Sequence, residues 1–148
     1  MPMKTWIAAT AFTLAALPAV SQARDTALFL PFQKVINEMT AAGTLDGSVK
    51  FYLAGMPPRG KVTVLSPGAV TNKKTNAFNK GDTEACEWVV QSAILQMYGA
   101  AKKVNANAVT NLTSFYKSIE RKDPVNYECH AGAILAGVAL KGDLSRVD

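Results

Sequence analysis

The chain of 148 residues holds only two cysteines, Cys86 and Cys129, and a single histidine, His130. These scarcities exclude a good deal. A structural zinc site takes about four protein ligands and a catalytic one about three plus water. No H-x-x-x-H or C-x-x-C spacing gathers such a set here. There is no G-x-x-x-x-G-K-[ST] loop, so the ordinary backbone cradle for nucleotide phosphates is missing. There is no G-x-S-x-G elbow to present a serine nucleophile. Acidic residues are the minority, 11 against 16 Lys and Arg, but the basic residues are scattered. A nucleic-acid footprint needs a face or stripe of them with aromatic platforms. Long apolar runs are also missing beyond the N-terminus. Residues 131–140 make up about half of the roughly 20 residues that a membrane helix needs. The expectation is therefore a protein that is not an enzyme, with no cofactor, no metal, no nucleic-acid partner and no membrane span.

What is present begins with a targeting segment. Lys4 supplies a positive start, residues 6–19 are mostly apolar, and "VSQA" places Ser21 and Ala23 where a cleavage site takes small residues. We expect a signal peptide over 1–23, cut after Ala23, and a single domain over 24–148 in the periplasm. No cysteine stands at the cleavage site, so no lipid anchor is expected. Two cysteines in an oxidising compartment favour a disulfide, and two allow only one intramolecular pairing.

Periodicity supplies the elements. In "FLPFQKVINEMTAAG", Phe32, Val35, Ile36 and Met39 share a helical face, with Pro31 suited to the first position. Residues 47–55 and 61–66 alternate and predict an antiparallel hairpin across "MPPRG". Residues 67–80 are polar and read as a loop. A long helix is predicted from Thr83 to Val104, capped by Asp82, with Cys86, Val89, Val90, Ala93, Ile94, Met97, Ala101 and Val104 along one stripe. Residues 105–118 predict one strand. Residues 125–144 predict another, in which Gly132 and Gly137 mark bulges or close approach. The fold class expected is α+β: an antiparallel sheet of about four strands packed on one long helix, with a short N-terminal helix.

The adjacent Cys129 and His130 pose a question. In a strand they point to opposite faces, which argues against a catalytic couple. Cys86 on the helix stripe and Cys129 on the inner face of a strand can meet within disulfide reach. The alternative is a thiol- or metal-binding protein using Cys86, Cys129 and His130. For a binding role, the polar segment offers Asn72, Lys73, Lys74, Asn76 and Phe78 as a candidate surface. Its partner would be an envelope protein or a small ligand, and the oligomeric state is left open.

"LDGSVKFYLAG", "NKKTNAF", "EACEW", "ANAV" and "YECHAGAILAGVALKG" together resemble a family of small exported proteobacterial proteins, many labelled "excinuclease ATPase subunit". That label implies Walker loops and zinc cysteines, which this chain lacks. The second half, with "ANAV" after a helix and a Cys and "GVAL" in the final strand, is similar to the Rcs envelope-stress lipoprotein domain and the YbjQ-like domains. In the Rcs lipoprotein a disulfide ties the segment before the helix to the last strand. Carried over by position, it falls on Cys86 and Cys129. This chain lacks that domain's second cysteine pair. YbjQ-like domains are sometimes described as binding heavy metals, a role for which no ligand cluster here provides. The likeness implies an envelope-sensing domain.

Overall fold

The computed structural model describes residues 23–148. Nearly all of the expected signal peptide, residues 1–22, lies outside the described residues. The elements run β1 (Thr26–Pro31), α1 (Phe32–Ala41), β2 (Lys50–Leu53), β3 (Val62–Asn76), α2 (Asp82–Lys103), β4 (Ala108–Ser114), a 3-10 turn (Tyr116–Ser118), β5 (Asn126–Ala131) and β6 (Leu135–Val147).

β6 is the hub. One of its edges pairs with β3 along the whole length, from Val62 opposite Val147 to Asn76 opposite Leu135. Its other edge is shared by β4 and, at His130–Gly137 and Ala131–Ala136, by β5. β1 lies antiparallel outside β5, and β2 lies parallel outside β4. The sheet order is β1-β5-β6-β4-β2 with β3 attached to β6, and the six strands curl into a half-barrel. α2 packs on the inner face. Its stripe of Cys86, Val89, Val90, Ala93, Ile94 and Met97 is buried in one cluster with Val109, Leu112, Val138 and Leu140. α1 adds Phe32, Val35 and Met39 to the same core. No helix among the described residues is long and apolar enough to cross a membrane.

This corrects the expected fold class. The chain is mostly sheet, with six strands and only two α-helices, instead of about four strands covered by one long helix. Four misreadings account for the difference. β1 precedes α1 without a break, and the helical pattern masked it. The segment 67–80 is not a loop: β3 continues to Asn76. Being an edge strand, β3 buries only Thr71 fully, so its composition stays polar. The hairpin of 47–55 with 61–66 does not form, because β2 pairs with β4 and β3 with β6. Residues 125–144 are two strands, turned at Gly132–Ile134, where the Gly132 N–H donates to the Leu135 carbonyl. A Cβ on Gly132 would stand 2.9 Å from the Arg24 carbonyl oxygen, so this glycine does mark a close approach. Smaller shifts follow. Gly81 occupies the cap position of α2 with Asp82 in its first turn, and Val104, expected on the stripe, is exposed.

Candidate functional site

β5 divides two environments by simple alternation. Tyr127, Cys129 and Ala131 are buried, whereas Asn126, Glu128 and His130 face the other side, half-buried. Cys129 is bonded to Cys86, with Cα atoms 5.8 Å apart, and both cysteines are fully buried. The bond consumes both thiols, and His130 lies across the sheet from them. The thiol- or metal-site alternative therefore loses its sulfur ligands. Among the described residues no group of three or more His, Cys, Asp or Glu is placed to hold a metal ion.

On the outer face His130 is clamped. Its Nδ1 lies 2.8 Å from Asp25 Oδ1 and its Nε2 2.7 Å from Glu128 Oε1. A neutral imidazole has one N–H, whereas the imidazolium has one for each carboxylate. Tyr116 stacks on the ring at 3.4 Å between centroids and 8° between planes, and its hydroxyl donates to Asp25 Oδ2 at 3.0 Å. The Asp25 carboxyl is held below its usual range, chiefly by the His130 hydrogen bond and then by Tyr116 and the charges of His130 and Lys117, against some desolvation. The Tyr116 phenol is pushed up by burial and by Asp25.

The turn that carries Tyr116 is strained. Lys117 and Ser118 both adopt left-handed backbone, φ 51° and 61°, which costs non-glycine residues on the order of 1 kcal/mol each. The stacked ring and the Asp25 contact hold this turn against the sheet. Arg24 fastens the neighbouring corner. Its guanidinium grips Asp82 at 2.7 and 3.0 Å and reaches the Gly132 carbonyl at 2.9 Å.

Beside the clamp lies a groove of about 660 Å³ lined by Asp25, Tyr116, His130, Ile134, Gly137 and Lys74, among others. The register explains it. Ala27, His130, Gly137 and Lys74 form one row across β1, β5, β6 and β3. Gly137 contributes no side chain, so the floor drops between His130 and Lys74. Ile134 and Leu135, both strongly exposed, form an apolar rim.

Of the residues expected at the surface, Lys74 alone lines this groove. Asn72 and Asn76 are exposed on the same side of β3, Lys73 is half-buried on the helix side, and Phe78 is 64% exposed in the turn before α2. Asp25, Tyr116 and Gly137 were not anticipated. Glu128 and His130, two apart on one strand face, were the sequence signal available. No family model matches the chain, and neither a curated protein nor a solved structure matches it.

Proposed function

We propose that the protein is an exported, disulfide-stapled binding domain of the cell envelope, without catalytic chemistry, whose ligand lies in the outer-face groove between His130 and Lys74. The observation that carries this reading is the row His130–Gly137–Lys74: a missing side chain opens an apolar-rimmed floor beside a lysine that pairs with no carboxylate among the described residues. The ligand chemistry that fits is an apolar body with one negative group. The leader-like N-terminus, the buried Cys86–Cys129 bond and the likeness to an envelope-sensing domain support export. The bond also leaves neither sulfur available as a nucleophile.

The test is a titration of the isotope-labelled exported protein with decanoate and with uncharged decanol. Decanoate should shift the amides of residues 130–137, and Lys74→Glu should weaken it about tenfold. A Cβ at Gly137 meets nothing nearer than 3.6 Å, so Gly137→Leu should fold and block the groove. Equal responses to decanol and decanoate, or a Gly137→Leu protein that still binds, would overturn the reading. Intact mass with and without reduction tests export, which predicts loss of residues 1–23 and no thiol open to alkylation.

A further inference from the structure

The curled sheet leaves a seam between its last strand, β2, and α1. Two clefts of about 640 and 430 Å³ lie end to end along this seam and share Gln33, Phe51 and Tyr52. One wall is α1, presenting Gln33, Ile36, Asn37 and Thr40. The other is the free edge of β2. Phe51 packs edge-on to Phe32, centroids 6.4 Å apart, at the base. Pro57, Pro58 and Pro124 stiffen one end.

The edge of β2 carries unused main-chain groups. Lys50 and Ala54 donate to Asn107 and Leu112 on the β4 side, at 3.0 and 2.9 Å. Residues two apart in a strand point the same way, so Phe51 and Leu53 turn their N–H and C=O groups away from β4 and into the seam. The Leu53 carbonyl is taken by the Met56 N–H. Among the described residues β4 is the only strand paired with β2, so the Phe51 N–H, the Phe51 C=O and the Leu53 N–H face no partner strand. Exposed edges are normally blunted by lysine, proline or bulges. The edge of β3 has all three, in Pro67, Lys73, Lys74 and its register shifts. Between Phe51 and Leu53 the edge of β2 has neither lysine nor proline; the register shift against β4 at this point puts its extra residue in β4, not in β2, and the edge is recessed beside a helix. Charge is one-sided as well: Lys50 and Arg59 are the only charged residues lining the two clefts, and neither is in a salt bridge among the described residues.

From this juxtaposition we propose that the seam between β2 and α1 is a strand-addition site for an extended acidic peptide of a partner protein. The peptide main chain pairs with Phe51 and Leu53, an apolar side chain lies over the Phe32–Phe51 floor, and a carboxylate meets Arg59. Main-chain pairing of this kind supplies affinity while alternate side-chain pockets supply specificity. The site is separate from the outer-face groove and stands whether or not that groove binds its ligand.

The test uses the full exported protein, isotope-labelled, with three end-blocked hexapeptides of alternating Val and Glu, Val and Lys, or Val and Ser. The Glu peptide should move the Phe51 and Leu53 amides and those of α1. Replacing one central peptide amide by an ester removes the N–H that would bond the Phe51 carbonyl, without altering the protein. That change should weaken binding about 2- to 10-fold. Arg59→Glu should transfer the preference to the Lys peptide, and Gly137→Leu should leave peptide binding unchanged. Unmoved Phe51 and Leu53 amides with every peptide, or indifference to the ester, would overturn the proposal. So would concentration-dependent shifts of the same amides without peptide, which would assign the edge to a second copy of this chain.

Discussion

The two faces of β5 are built by different physics from residues that alternate along one short strand. The inner face is apolar and covalent: Tyr127, Cys129 and Ala131 sit in the core, and Cys129 is bonded to α2. Its stability comes from removing apolar area from water, which is non-directional, and from restricting the unfolded chain through a covalent bond that does not depend on protonation. The outer face is directional. Its clamp draws Asp25, Tyr116, Glu128 and His130 from three separate stretches of chain, and each contact depends on distance, angle and protonation. A fold can keep the first face under many conditions while the second responds to them.

The largest expected effect breaks the inner face. Replacing both cysteines, Cys86→Ala with Cys129→Ala, opens a loop with a sequence separation of 43, worth about 4 kcal/mol in the chain-entropy description. Thermal unfolding should drop accordingly, and reductant should lower the melting temperature of the parent protein alone. Next comes the outer face. His130→Ala removes the ring that bonds two carboxylates and the surface on which Tyr116 stacks, and should cost about 2 kcal/mol in urea unfolding at neutral pH. Loss of more stability here than in the cysteine variant would reverse the ranking of the two faces.

A smaller change sharpens the comparison from the inside. The Tyr127 hydroxyl is buried with no hydrogen-bond partner among the described residues. Its phenol is pushed far up by burial and by the negative charges of Glu87 and Glu38. Tyr127→Phe removes an unsatisfied group with almost no change of shape, so stability should hold or rise by up to about 1 kcal/mol. A loss of stability would show that the inner face relies on a polar contact after all. The smallest effect is a pH dependence. Because the Asp25 carboxyl is depressed in the folded state, its contribution is present above the ordinary carboxylate value of about 3.9 and is lost as pH falls through the lower folded value. Urea unfolding of Asp25→Asn should therefore lie below the parent at pH 6 and converge on it toward pH 2.

The sequence made the inner face legible and the outer one only in part. The helical stripe of α2 and the alternation around Cys129 both depend on local period, and they correctly brought Cys86 to Cys129. The clamp depends on β1, whose residues abut α1 without a turn signal, and on the left-handed turn at Lys117 and Ser118, which no propensity favours. Lys74 was singled out for its charge, but its meeting with His130 across Gly137 required the β3–β6 register. Lys73 and Lys74, equivalent in composition, were separated by the alternation of a strand that had read as a loop. The parallel pairing of β2 with β4 joins segments far apart in the chain, and nothing local specifies such a partner.

The placement of β6 bears on the order of events during synthesis. Every other described strand except β1 and β2 touches it, yet it leaves the ribosome after all of them. Until those 13 residues emerge, β3 and β4 have no common neighbour, β5 has only β1 for a partner, and the sheet has no centre on which α2 can settle. The domain therefore completes its fold only once β6 has been made, and until then the strands that it joins remain separate pieces.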